Sequence, residues 1–129
     1  MICKIFSYKK VNSTNDIAIK KVKKGFTRGL VQAEFQKKGR GQRGKKWISY
    51  KGNLFITIFF KINKKTSLKN ITFKNCNKIK KVISKLIKKK LIIMKPNDLL
   101  LNNKKICGIL QETIVHKNSL FLIAGIGIN

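Results

Sequence analysis

The sequence has little of several residue types that common functional sites require. Its single histidine, His116, lies in the turn-like segment HKNS, which argues against a histidine general base. Cys3, Cys76 and Cys107 are widely spaced and form no C-x-x-C pair, so neither a disulfide framework nor a zinc site is expected. No stretch approaches the roughly 20 apolar residues of a membrane helix, and the N-terminus lacks the apolar core of a signal peptide. These absences predict a reduced, cytoplasmic protein that does not bind membranes.

Acidic residues are scarce as well. Asp and Glu total four against 31 Lys and Arg, for a formal net charge of +27 at pH 7. Such an excess would ordinarily indicate an anionic partner such as nucleic acid. However, lysines are scattered through every segment, and only Arg28, Arg40 and Arg43 offer the planar fork that usually reads DNA bases. Lys, Asn and Ile share A/T-rich codons, so genomic base bias is the favoured origin of the charge, and specific DNA binding is not expected.

The length and hydrophobic content fit one compact domain. The 129 residues are 43% hydrophobic, enough for a core that buries roughly two thirds of the unfolded surface. Alternating or continuous apolar patterns predict strands at residues 2–8, 29–35, 53–61, 91–94 and 120–129, with 53–61 buried on both faces, and a hairpin turning at Asn102 and Asn103. Helices are expected from a cap at Ser13 or Thr14 to Gly25, and over residues 71–90. We therefore expect an α+β fold with a mostly antiparallel sheet and helices on one face.

The segment EFQKKGRGQRGKKW, from Glu34 to Trp47, sets glycines among cations. Glycine lets the backbone come close to a ligand, and successive backbone N–H groups can form an anion-binding concavity. Arg40 and Arg43 add guanidinium groups that can grip a phosphate or carboxylate through two hydrogen bonds. The segment matches neither the P-loop nor the dinucleotide-binding glycine motif. Taken alone, it is explained equally well as a hairpin loop with solvated cations.

Five segments, taken together and in order, resemble the catalytic core of biotin–protein ligases. They are STN (13–15), the glycine segment (34–47), KPND (95–98), KKICGILQE (104–112) and GIGIN (125–129). The resemblance implies a fold like that of class II aminoacyl-tRNA synthetases. It also implies adenylation of biotin by ATP, with magnesium, and transfer of biotin to a lysine on the biotin carrier domain of acetyl-CoA carboxylase or a related carboxylase. Lipoate–protein ligases share this logic, and a non-catalytic nucleic-acid-binding domain is the other alternative; GRGQRG and KKICGIL favour the biotin branch.

The resemblance also implies roles for individual residues. Arg40 and Lys105 would be catalytic, with Arg40 holding the biotin carboxylate and then the adenylate phosphate, and Lys105 neutralising charge from the other side. Because the biotin carboxylate is already ionised at neutral pH, no general base is needed. The biotin-binding set is Ser13, Thr14, Asn15, Gln36, Arg40, Gly41, Gln42, Lys105 and Gly108. The nucleotide-binding set is Gly39, Arg40, Arg43, Trp47, Asp98 and Asn129, with Asp98 also the candidate magnesium ligand.

Simpler structural roles compete with some of these assignments. Residues 13–15 can cap a helix, Trp47 can be an ordinary core aromatic, and Asp98 can belong to a plain turn. The sequence also departs from the family pattern, with Gln42 where an arginine is usual and no tryptophan before the KPND proline. Without a helix-turn-helix or a C-terminal β-barrel, residues 1–129 are expected to be a single catalytic domain that is short at its C-terminus. The sequence leaves open whether the chain forms a homodimer.

Overall fold

A computed structural model of the chain describes residues 3–94 and 96–129. The strands are β1 (Ile5–Val11), β2 (Arg28–Gln36), β3 (Leu54–Ile62), β4 (Ile92–Met94), β5 (Asp98–Leu101), β6 (Lys104–His116) and β7 (Ser119–Ile128). The helices are α1 (Thr14–Lys23) and α2 (Leu68–Ile87), and a short 3-10 turn covers Gln42–Gly44. In the described part of the chain, no helix is long and apolar enough to cross a membrane.

The strands form one mixed sheet of seven strands, in the order β1-β2-β3-β7-β6-β5-β4. β1 and β2 are parallel and are joined through α1, whereas the other neighbouring strands are antiparallel. The predicted hairpin turns at Asn102 and Asn103, whose φ angles are 50° and 61°. Asparagine tolerates this left-handed region better than most residues, so local sequence sets this turn. The α+β class and the mostly antiparallel sheet are confirmed.

The two helices pack against opposite faces of the sheet, which corrects the expectation that they cover one face. Val22 of α1 lies in a core cluster with Ile123 of β7, and Ile83 of α2 lies in a second cluster with Ile126 of the same strand. Side chains alternate along a strand, so these two isoleucines project from opposite faces. β7 is apolar nearly throughout and buried on both faces; each face therefore needs its own covering layer.

Burial along β3 is more one-sided than the apolar sequence indicated. Thr57 and Phe59 are fully buried against the α1 side, whereas Ile56 and Ile58 of the other face are only half-buried. Phe60 is 36% exposed. The expectation of a strand buried on both faces is therefore wrong for β3, because α2 packs mainly against β4, β5 and β6.

Element boundaries differ from the expected ones by a few residues. α2 starts earlier, because Ser67 caps it by accepting a hydrogen bond from the backbone N–H of Asn70 at 3.3 Å. It ends earlier too, because Lys88 adopts a left-handed conformation with φ of 53°. The first strand was expected from Ile2, which lies outside the described residues, and it runs on to Val11 instead of ending at residue 8.

All three cysteines are free thiols, and two of them belong to the core. Cys76 and Cys107 lie together in the cluster under α2. Burial raises the pKa of the Cys107 thiol to about 12 and also raises the pKa of Cys76. A thiol with a raised pKa is protonated at neutral pH and is a poor nucleophile and metal ligand. The prediction of small apolar thiols is confirmed for these two residues.

Candidate functional site

A cavity of about 390 Å³ lies where the N-terminus of α1, the loop after β2 and strands β5, β6 and β7 meet. This volume is within the range of small-molecule binding sites. Most of the predicted site residues line it: Ser13, Thr14, Asn15, Gln36, Arg40, Gly41, Gln42, Arg43, Trp47, Asp98, Lys105 and Gly108. Gly39 and Asn129 lie outside the lining. Segments that are far apart in sequence are therefore brought to one cavity.

The floor of the cavity is bare strand backbone covered by an indole ring. Gly108 and Gly127 face each other across β6 and β7. A Cβ atom on Gly127 would lie 2.5 Å from Trp47 Nε1, and one on Gly108 would lie 2.6 Å from the Trp47 ring. Only glycine leaves room for the ring at these two positions. This explains the alternation of glycine and isoleucine in GIGIN. The isoleucines project into the core on the other face of the sheet, and the glycines leave space for the site.

Trp47 is half-buried in this position. It forms a wall of the cavity and is not a core aromatic residue. The Lys105 ammonium lies 5.1 Å from the centroid of its ring, within the range of a cation–π contact. One flat face of an indole next to a cation is suited to a planar or apolar ligand group. Trp47 therefore lines the cavity beside Lys105, and its role as a nucleotide contact stays a prediction.

The glycine loop folds back on itself. The backbone N–H of Trp47 donates to the carbonyl of Gly39 at 2.8 Å, and that of Gly41 donates to Lys45 at 2.7 Å. A Cβ on Gly39 would lie 2.6 Å from the Trp47 carbonyl oxygen, so this glycine permits a close approach of two backbone segments. The expected concavity of free N–H groups is not met at Gly41, whose N–H is used within the loop. The positive charge at the cavity is instead supplied by side chains such as Arg40, Arg43 and Lys105.

The start of α1 supplies both a helix cap and part of the cavity. The Ser13 hydroxyl accepts a hydrogen bond from the backbone N–H of Asp16 at 3.5 Å, which identifies Ser13 as the N-cap. Thr14 and Asn15 follow in the first turn and are 4% and 3% exposed. The capping interpretation and the placement of STN at the site are thus compatible.

A buried polar network runs beneath the cavity from Gln36 to Glu112. The backbone N–H of Thr14 donates to Gln36 Oε1 at 2.8 Å. The Thr57 hydroxyl lies 2.8 Å from the Thr14 hydroxyl and 2.6 Å from Asn15 Oδ1. Asn15 Nδ2 then donates to Glu112 at 2.8 Å. Buried polar groups that satisfy one another in this way hold their side chains in defined orientations.

Arg40 is held by two carboxylates. It donates to Glu112 through both terminal nitrogens, at 2.7 and 2.8 Å, and to Asp16 at 2.9 Å. Burial by itself would raise the pKa of Glu112, but hydrogen bonds from Arg40 and Asn15 outweigh it and leave this pKa lowered. The hydrogen bond to Glu112 correspondingly raises the pKa of Arg40. Arg40 is therefore a fixed, permanently charged group at the edge of the cavity.

Lys105 forms the second cationic group of the site, with Asp98 as its partner. Lys105 Nζ lies 2.9 Å from Asp98 Oδ1, and the two side chains are 41% and 16% exposed. Three of the four acidic residues thus form ion pairs with the two candidate catalytic cations: Asp16 and Glu112 with Arg40, and Asp98 with Lys105. Among residues 3–94 and 96–129, no cluster of three or more His, Cys, Asp or Glu residues could hold a metal ion. Asp98 is the ion-pair partner of Lys105, and its role as a magnesium ligand stays a prediction.

Asn129 supports the loop from outside the cavity. Its Oδ1 accepts a hydrogen bond from Asn53 at 3.1 Å, and its Nδ2 donates to the carbonyl of Ile48 at 3.3 Å. Of the KPND segment, Lys95 lies outside the described residues. Several residues that line the cavity or support it were not predicted from the sequence: Asp16, Lys45, Lys46, Thr57, Asn97, Glu112, Gly125 and Gly127. Most of these lie within or beside the five motif segments, whereas nothing in the sequence around Thr57 marks it.

Comparison with known proteins agrees with this geometry. The model of the Biotin/lipoate A/B protein ligase family matches residues 7–129. The chain is 30% identical over 122 residues to the bifunctional ligase/repressor BirA of Escherichia coli (strain K12). The aligned region covers 92% of this chain and 38% of BirA. It therefore spans less than half the length of this curated relative.

Solved structures show the same fold. The biotin protein ligase of Aquifex aeolicus in complex with biotin and ATP superposes with a TM-score of 0.81 at 25% identity, over 99% of this chain and 53% of that one. The ligase of Leishmania major in complex with biotinyl-5-AMP gives 0.76 at 28% identity, over 100% of this chain and 58% of that one. The expected fold, with the layout of a biotin ligase catalytic core, is confirmed.

Proposed function

The chain belongs to the Biotin/lipoate A/B protein ligase family, and we propose that it adenylates biotin with ATP and transfers the biotinyl group to a lysine of a carboxylase carrier domain. The observation that carries the proposal is the convergence of Arg40, Lys105 and the polar residues of α1 on one cavity. The ligands named for the solved relatives, biotin with ATP and biotinyl-5-AMP, support the same chemistry.

In the first step, a carboxylate oxygen of biotin attacks the α-phosphorus of ATP. A new P–O bond forms, the bond from the α-phosphorus to the bridging oxygen breaks, and pyrophosphate leaves. Two anions must approach each other, so the site has to supply positive charge and alignment. Of the five N–H donors of Arg40, Glu112 and Asp16 occupy three, which leaves two for the reacting carboxylate and phosphate. Lys105 would neutralise charge from the β6 side.

In the second step, the neutral amine of the acceptor lysine attacks the acyl carbon of biotinyl-5′-AMP. An amide bond forms, the bond from the acyl carbon to the phosphate oxygen breaks, and AMP leaves, while the amine proton passes to solvent. Arg40 and Lys105 keep 37% and 41% of their side chains exposed, so an acceptor can reach the groups that would hold the adenylate. Magnesium would arrive bound to ATP phosphates, since this ion usually keeps several waters and needs few protein ligands.

The polar network suits the ureido ring of biotin. Gln36 Oε1 accepts from both the backbone N–H and the hydroxyl of Thr14, at 2.8 and 3.1 Å. Its amide N–H groups are therefore the part of Gln36 left to donate to a ligand. Gln36 is 8% exposed, and a hydrogen bond to a ligand group gains specificity in such a buried setting.

The proposal is tested by biotin-dependent exchange of label between pyrophosphate and ATP, with lipoate as the competing acid. We expect exchange with biotin that falls by about tenfold or more in Arg40→Ala and in Lys105→Ala. Exchange with lipoate alone would identify a lipoate ligase. No exchange with either acid, together with salt-sensitive, sequence-independent binding of DNA, would contradict an enzymatic role and indicate a nucleic-acid-binding domain.

A further inference from the structure

Glu112 lies next to the cavity and contacts two of the residues that line it, Arg40 and Asn15. One carboxylate oxygen accepts from Arg40, and the other accepts from both Arg40 and Asn15. We propose that Glu112 is a positioning residue, which aims the Arg40 guanidinium at the reacting carboxylate and locks the amide of Asn15 on the ring-binding side. This inference rests on the proposed adenylation of biotin and names a residue on which that chemistry depends.

The fork between Glu112 and Arg40 restricts the guanidinium plane. Two parallel N–H···O bonds at 2.7 and 2.8 Å fix both the position and the rotation of the group. Asp16 accepts one further N–H at 2.9 Å from the helix side. A long arginine side chain that is partly exposed would otherwise sample several rotamers, and each would aim the remaining donors differently. Glu112 is thus the group that selects one of them.

Glu112 also orients the side-chain amide of Asn15. A carboxylate can only accept, so the NH₂ end of the Asn15 amide must face it. The Oδ1 end then faces Thr57, and the single hydroxyl proton of Thr57 is used at 2.6 Å for that contact. The Thr14 hydroxyl has one proton as well, so it can donate to Thr57 or to Gln36 Oε1 but not to both at once. The carboxylate of Glu112 therefore favours one orientation of the Asn15 amide and, through it, the direction of the Thr57 hydroxyl.

The test is Glu112→Gln, assayed by biotin-dependent pyrophosphate exchange in the full chain. Its amide would place an NH₂ group against Arg40 or Asn15, which are themselves donors. We expect kcat/KM for biotin to fall about 10- to 100-fold, the range of one lost charge-assisted contact. Glu34→Gln is the matched control, because Glu34 is exposed on β2 outside the cavity and the charge change is the same. This control should stay within about twofold of the parent chain.

A double-mutant cycle with Arg40→Lys separates positioning from a general structural role. Lysine keeps the charge but cannot form the fork, so the part of the Glu112→Gln loss that acts through Arg40 should disappear in that background, which leaves only the part that acts through Asn15. Equal losses in both backgrounds would overturn the inference, as would full activity of Glu112→Gln. Both of these results would leave the proposed function standing, whereas a parent chain without biotin-dependent exchange would overturn the proposed function and, with it, the role of Glu112.

A second variant covers the case in which Glu112→Gln does not fold, as judged by circular dichroism and thermal unfolding. Glu112→Asp keeps the negative charge but shortens the side chain, so it cannot hold both terminal nitrogens of Arg40 and Asn15 together. The same cycle with Arg40→Lys then applies. A loss that becomes smaller in the Arg40→Lys background supports the inference, and an equal loss in both backgrounds overturns it.

Discussion

Replacing Arg40 by alanine would remove one cation and leave two carboxylates facing the cavity. Glu112 and Asp16 now lie 2.7 and 2.9 Å from the guanidinium, and without it their negative charge would oppose the entry of biotin and ATP. One charge-assisted hydrogen bond is worth about 1.5–3 kcal/mol, which corresponds to a fall of roughly 10- to 150-fold in the adenylation rate at about 1.36 kcal/mol per decade. The added repulsion places the expected loss at the upper end of this range.

Stability should change much less than activity in the same variant. The Arg40 side chain is 37% exposed, and partly exposed ion pairs contribute only about 0–1 kcal/mol to folding. Pyrophosphate exchange and thermal unfolding, measured side by side, test this separation. Arg28→Ala, at the start of β2 and outside the cavity, controls for the loss of one positive charge. Retained exchange in Arg40→Ala, or a loss of activity matched by a large drop in the midpoint of unfolding, would refute the reasoning.

Three further predictions concern other parts of the structure. Gly127→Ala should force the Trp47 ring from its place, because the added Cβ would lie 2.5 Å from Nε1; we expect a cost of about 1–3 kcal/mol in stability and a changed emission spectrum from the single tryptophan. The pKa of Glu112 is lower in the folded than in the unfolded protein, where it is about 4.3. The ionised carboxylate therefore stabilises the folded state fully above the unfolded pKa, and this stability is lost as the pH falls through the folded pKa. Urea unfolding between about pH 2 and 6 should therefore show a shallower acid decline in Glu112→Gln than in Glu34→Gln. Cys107, with a thiol pKa of about 12, should resist alkylation in the native protein at pH 8, whereas the exposed Cys3 should react; rapid labelling of Cys107 in the folded chain would contradict its burial.

Local sequence patterns determined most of the secondary structure, and for identifiable reasons. Strand alternation, the Ser13 cap and the tolerance of Asn102 and Asn103 for positive φ are properties of neighbouring residues, so they can be recognised without knowing the fold. The motif segments likewise indicated which residues would meet, and Arg40 and Lys105 do line one cavity.

The partners of those residues depended on the tertiary structure. Arg40 and Glu112 are 72 positions apart in sequence, and their contact exists only because the loop after β2 folds across the registered pair of β6 and β7. The pairing of β3 with β7 places Thr57 next to Asn15, and Asn129 at the end of β7 lies outside the cavity. The strand order also places β7 in the middle of the sheet, where both of its apolar faces are covered. Residue types and local spacing specify the elements and the charges that are available, but which carboxylate meets which cation is decided by long-range strand pairing that local propensity does not encode.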